Sequence, residues 1–210
     1  MASERREFLR LTVGGVAGLA LGTKALEVPR AAPADEWLEA IAGKKYRAFI
    51  DVGRFAIDGV AFRRATALFT ALRANYGAAD SDIGVALGAH STALAHLLSP
   101  ALWDELRIAE LVAPALATND AAVLRSGKLN WAIVGRGAVQ ELRARGVRIL
   151  ACRNTIARWA RELAVARGGN ADDLARTLTS GLHDGVEPVP AMIAAAVLAQ
   201  QKGVPYVAIE

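Results

Sequence analysis

Short apolar runs alternate with longer stretches of helical spacing along this chain, and that alternation sets its elements. Tyr46-Arg-Ala-Phe-Ile-Asp-Val52 is a compact apolar run that Gly53 ends, which predicts a strand. Asp58 can cap a helix running to Tyr76, with Val60, Ala65, Leu68, Phe69 and Leu72 as its apolar stripe and Gly77 past its end. Ser81–Ala89 is the second strand, continuously apolar as a strand covered on both faces should be. Val147–Ala151 is the third and Val204–Ile209 the last, while Gly185-Val-Glu-Pro-Val-Pro190 is extended because each X-Pro step resists helix. Helical spacing covers Asp35–Lys44, a region from Ser91 broken at Pro100 and resumed through Trp103, and Ala109–Arg125 in pieces. It returns in Ala132–Arg145, Thr155–Arg167, a turn or two over Asp172–Thr179, and a helix opened by Pro190 and closed at Gly203.

Strands separated by such helices predict a three-layer α/β domain, a parallel sheet of four to five strands with helices on both faces. Ligand sites in these sheets lie beyond the carboxyl ends of the strands, near the point where strand order reverses. Those ends carry Asp51, then His90, then Cys152 with Asn154 and Thr155. If the first strand lies between the other two, these groups share one crevice.

Composition and charge narrow the functional classes. The chain has 210 residues, 53% hydrophobic, enough for one medium domain with a sizeable core. Its net charge is +4, of which residues 1–34 supply +2 through five Lys/Arg against three Asp/Glu. The remaining excess is too weak for a nucleic-acid partner, and no arginine stripe interleaves with aromatics. A zinc site is excluded by local spacing, since His90-x5-His96 with one distant cysteine lacks a ligand set. Gly135-Arg-Gly137 lacks the third glycine of a dinucleotide loop and fits a helix start instead. No cofactor motif remains. Trp103 and Trp131 fit anchors in a core or subunit interface.

The N-terminus has the order of an export signal: basic Glu4-Arg-Arg-Glu-Phe-Leu-Arg10, uncharged Leu11–Gly22, then Ala32-Pro33-Ala34. The paired arginines followed by Phe-Leu and a base resemble the bacterial twin-arginine signal, with Glu4 standing where Ser or Thr is usual. The resemblance implies engagement of the twin-arginine translocase, a periplasmic location, and a mature chain from about Asp35 to Glu210. The single cysteine cannot form an intrachain disulfide there. Cys152 is therefore buried and inert, bridged to another molecule, or a reactive thiol. Its place before a helix N-terminus, with Arg153 and Arg158 near, is one that favours a thiolate. His90 fits a general base, a donor to a bound anion, or a residue that holds the following turn. His96 fits a satisfied, half-buried residue, and His183, in a Gly-Leu-His-Asp-Gly loop, an exposed one.

Gly88-Ala-His90 followed by Trp103 about a dozen residues on, Gly146-Val with Cys152-x-Asn154, Gly185-Val-Glu-Pro-Val-Pro190 and Ala199-Gln-Gln-Lys-Gly-Val-Pro-Tyr206 together resemble the DsrE/DsrF-like family of sulfur-relay proteins and their exported relatives. The likeness spans roughly residues 45–210. It implies a flavodoxin-like sheet of the DsrE type, homo-oligomers, and a cysteine that carries persulfide sulfur received from or passed to a partner protein. On the sulfur-relay reading the Cys152 thiolate accepts sulfane sulfur while His90 and Asn154 steady the charge, and Asp51, Asn154 and Thr155 are the ligand-binding candidates by their place at the strand ends. The other function open to the chain is a non-catalytic, oligomeric binding or structural module in which Cys152 only packs.

Overall fold

The computed structural model describes residues 36–209; the expected export signal lies outside them. In chain order these residues form α1 (Glu36–Ala42), β1 (Tyr46–Val52), α2 (Val60–Tyr76), β2 (Ile83–Ala89) and a 3-10 segment (Ser91–Leu97). There follow α3 (Pro100–Glu105), α4 (Ile108–Val112), α5 (Thr118–Arg125), α6 (Trp131–Val134), α7 (Arg136–Ala144) and β3 (Arg148–Cys152). The remainder is α8 (Arg153–Arg167), α9 (Ala171–Ser180), β4 (Val186–Val189), α10 (Met192–Gln201) and β5 (Tyr206–Ile209). All five strands pair in parallel, in the order β4-β3-β2-β1-β5. The three-layer, flavodoxin-like α/β architecture expected from the strand and helix pattern is the fold.

The order has one correction to make. β2, not β1, lies between the other two early strands, so the chain walks from β1 to β4 in one direction and returns to β5 on the far side of β1. Right-handed crossovers then put the helices between β1 and β4 on one face and α10 on the other. Two cores result. The larger joins Ile50, Val85, Leu87 and Ile149 to Phe69, Leu142, Trp159 and their neighbours. The smaller joins Phe49, Ala86, Leu150, Cys152 and Val189 to Trp37 and Leu38 of α1 and to Met192, Ala195 and Ala199 of α10.

β2 is buried along its whole length, which accounts for its unbroken apolar character. Its two glycines face the thinner of the two helical layers, the one made by α1 and α10, and let that layer close. A Cβ on Gly84 would lie 2.7 Å from the Ile41 carbonyl oxygen of α1, and one on Gly88 would lie 2.2 Å from the Met192 sulfur of α10. Bare backbone is therefore part of the packing surface.

Several local expectations shift. The helix assigned to Ala132–Arg145 is two helices that meet at Gly135, where a Cβ would strike the Trp131 ring at 2.7 Å. The final helix begins at Met192 rather than Pro190, and Asp172–Thr179 is part of a full ten-residue helix. Gly59 occupies the cap position of α2, yet the Asp58 carboxylate still accepts from the Val60 N–H at 3.1 Å and pairs with Arg63. Trp103 is buried, its indole N–H donating to the Ala95 carbonyl at 2.9 Å and its ring set edge-on to Trp131.

Gly84→Ala should cost about 1–3 kcal/mol, because its Cβ would meet the Ile41 backbone, which cannot turn aside as a side chain can. Urea denaturation measures this. Gly43→Ala, at a position with open space around it, should change stability by less than about 0.5 kcal/mol.

Candidate functional site

Parallel register decides which side chains meet at the strand ends. Asp51 pairs with Gly88 and Val52 with Ala89 between β1 and β2, and Ala89 pairs with Ala151 between β2 and β3. One step past that last pair stand His90 and Cys152. His90 is still extended (φ −138°, ψ −178°), and its N–H continues the ladder to the Val52 carbonyl at 3.1 Å. Side chains alternate along strands, so Asp51, His90 and Cys152 all project from the face that carries α1 and α10.

The polar contacts centre on Asp51. His90 Nε2 lies 3.3 Å from Asp51 Oδ1, close enough for an ion pair but without the alignment of a hydrogen bond. The Tyr206 hydroxyl of β5 donates to Asp51 Oδ2 at 2.7 Å. Burial by itself would raise the Asp51 pKa. The contacts to His90 and Tyr206, with help from the Val52 backbone, outweigh that and hold it below the ordinary carboxylate value. Asp51 is thus an anion at any pH near neutrality. The His90 ring lies over Gly53, where a Cβ would come within 3.3 Å of it.

Cys152 is the last residue of β3 and the cap position of α8, but its side chain makes no capping hydrogen bond. It is 5% exposed and packs in the smaller core. No hydrogen bond joins it to His90. Asn154 is exposed in the first turn of α8 and has no side-chain partner among the described residues. Thr155 is buried, and its hydroxyl accepts from the Ser91 N–H at 3.1 Å. That bond fixes the backbone directly after His90, where Ser91 adopts φ 49°. The strand ends therefore gather Asp51, His90 and Cys152 on one face, use Thr155 as a support, and leave Asn154 outside.

Tyr206 is the member that sequence reading missed. Nothing in Val204–Ile209 announces which residue of β5 will reach β1, since only the register, Phe49 opposite Tyr206, sets it. Among the described residues no three His, Cys, Asp or Glu side chains gather as a metal site.

The other two histidines are structural. His96 is fully buried rather than half-buried, stacked on Phe55 at 4.3 Å and edge-on to Phe62 at 5.2 Å. Its Nδ1–H donates to the Val134 carbonyl at 2.7 Å, and its Nε2 accepts from the Ala56 N–H at 3.2 Å. The neutral ring thereby pins the loop after β1. His183 is buried as well, contrary to the expected exposed loop. Residues 181–183 run antiparallel to 97–99, with His183 N–H donating to the Leu97 carbonyl and Ser99 N–H to Gly181, both at 2.8 Å. Burial pushes each of these histidines down to about 4, and the Arg136 charge adds to the effect at His183.

No family model matches the chain, and no curated protein matches it. Among solved structures it is similar to MTH1491 of Methanobacterium thermoautotrophicum, a protein of unknown function, at 18% identity and a TM-score of 0.44. That match covers 78% of this chain and 99% of the other.

The buried histidines set a pH dependence. Their folded pKa values lie below the unfolded value, so the stability they confer is complete above about pH 6.5 and is lost as pH falls through about 4. His96 should contribute a loss of up to about 3 kcal/mol across that window, and His183, whose charge solvent screens more, a smaller one. Denaturation at pH 7.5, 5.5 and 4.5 tests this; His96→Gln should be less stable at pH 7.5 and show a shallower decline.

Proposed function

We propose that this chain is an exported DsrE/DsrF-like protein that carries sulfane sulfur on Cys152, with His90 as the neighbouring base. The observation that carries the reading is the register that sets His90 beside Cys152 at the strand ends, while Tyr206 holds the Asp51 carboxylate beside the His90 ring. The resemblance over residues 45–210 supplies the sulfur chemistry, and the twin-arginine-like N-terminus supplies the periplasmic address. In the reaction, a Cys152 thiolate attacks the terminal sulfur of a donor persulfide R–S–SH. The new bond is Cys152 Sγ–S, the donor's S–S bond breaks, and R–S⁻ leaves with the electron pair. His90 takes the thiol proton at the start and can return it to the departing thiolate. The donor or acceptor would be a partner protein.

The 5% exposure of Cys152 favours a second reading, a small-ligand-binding or structural module in which the thiol only packs. The sulfur-carrier reading requires α10 to lift from the sheet and admit the donor. Incubation with polysulfide, or with thiosulfate and a sulfurtransferase, followed by intact-protein mass spectrometry separates the two. A +32 Da adduct, one sulfur atom, that disappears in Cys152→Ser supports the carrier. A thiol that alkylates freely in the native state yet gains no sulfur sinks that reading. A thiol that resists alkylation until the protein unfolds establishes the packing role.

Both readings include a homo-oligomer, and the thin layer supplies a surface for one. α10 is apolar around most of its circumference, with Ile193 76% exposed and Val197 and Leu198 partly so. On that same face the edge strand β5 presents Tyr206, 41% exposed. Light scattering on the purified protein should give a multiple of the protomer mass, and Ile193→Glu with Val197→Glu should lower it. A wild-type monomer would end the oligomer proposal.

A further inference from the structure

The point where strand order reverses lies between β1 and β5, and a cleft of about 440 Å³ opens beyond their carboxyl ends. It belongs to the loop that leaves β1, to the segment entering α5 and to the end of β5, with Arg54, Phe55, Ile57, Leu116, Asp120 and Ile209 among its walls. None of Asp51, His90 or Cys152 lines it. Because side chains alternate along β1, Asp51 projects to the α1/α10 side, while Val52 and Phe55 pack into the opposite core.

Three properties make this a built site. Its volume falls within the range of about 300–1,000 Å³ typical of small-molecule pockets, and it stands at the position that doubly wound sheets use for ligands. Its loop is held in place. The Phe55 N–H donates to Thr92 Oγ1 at 3.0 Å and the Ala56 N–H to His96 Nε2 at 3.2 Å. Its charges are divided between engaged and free. Asp58 is occupied by Arg63 and by the first turn of α2. Arg54 and Asp120, by contrast, have no ion-pair or side-chain hydrogen-bond partner among the described residues. A free guanidinium and a free carboxylate rim a floor of Phe55, Ile57, Leu116 and Ile209.

We propose that this cleft binds a small zwitterion with an apolar tail, an α-amino acid of the leucine or phenylalanine kind. The carboxylate takes the planar fork of Arg54, which suits two parallel hydrogen bonds. The ammonium takes Asp120, and the tail covers the apolar floor. A simple anion would face Asp120 unpaired, and a simple cation would face Arg54. Only a ligand carrying both charges satisfies both walls.

Isothermal titration calorimetry of the full chain with L-phenylalanine and with L-leucine tests the proposal. Single-site saturable binding is expected, and Arg54→Gln should weaken it at least about tenfold. Phenethylamine, which lacks the carboxylate, and 3-phenylpropionate, which lacks the ammonium, should each bind at least about tenfold more weakly than phenylalanine. Asp120→Asn should remove the preference for phenylalanine over 3-phenylpropionate. Methyl NMR places the ligand, since Ile57 and Ile209 should shift on titration. Both substituted positions are at the surface, and unchanged thermal melting confirms that the variants fold. No saturable heat up to about 10 mM of either amino acid overturns the proposal, as does an Arg54→Gln variant that binds like wild type. Equal affinity for phenylalanine and 3-phenylpropionate overturns the zwitterion assignment.

Discussion

A parallel sheet has no solvent face: every strand must be covered above and below, and the connections decide how thickly. Here β1 through β4 advance in one direction, so their crossovers pile onto one face, and only the returning helix α10, with α1, remains for the other. The thin layer works because β2 offers bare backbone at Gly84 and Gly88, letting Ile41 and Met192 sit closer than any side chain would permit. The same economy of cover leaves α10 with an apolar outer surface, since a helix buried on one side and apolar on both wants a second partner.

That asymmetry governs the strand-end chemistry. Asp51, His90 and Cys152 project toward the thin layer, where Met192 and Val189 share the thiol's core. Asp51 is desolvated enough that, alone, it would be driven toward its neutral form; Tyr206 and His90 reverse this. Part of that support, the Tyr206 hydroxyl, depends on β5 staying paired with β1, which ties the surroundings of His90's neighbour to an edge strand. The thiol, two strands away, has apolar neighbours and no such polar support. Polar organisation and sulfur thus sit side by side without a hydrogen bond between them. The carrier reading must supply that link by motion of the thin layer, whereas the packing reading needs none.

How much of this was legible in the sequence depended on the range of the interaction. The strands could be read because burial on both faces writes an unbroken apolar run, as in Ile83–Ala89. The strand ends could be read because a glycine or a polar residue stops each run, which is how Asp51, His90 and Cys152 were found. Strand order could not, since β1–β2 and β2–β3 pairing is a choice among tertiary contacts that leave no local trace. Tyr206 went unnoticed for the same reason. Gly-Leu-His-Asp-Gly has the composition of an exposed turn, and the antiparallel bridge from Leu98 to Leu182, which leaves no local trace, buries His183.

The alternation along β1 carries one more consequence. Successive residues of a strand point to opposite faces, so the strand that delivers Asp51 to the thin layer delivers the following loop to the thick one. The reversal of strand order beside β1 then opens a cleft on the face opposite the thiol, lined by Arg54 and Asp120 rather than by His90. The rule that ligands gather where strand order reverses and the expectation that they gather at the cysteine point, in this chain, to different faces of the sheet. Ligand binding in that cleft and sulfur chemistry at Cys152, as proposed, would therefore be separable. Thr92 and His96 link the two regions mechanically, because they tie the Arg54 loop to the segment that begins at His90.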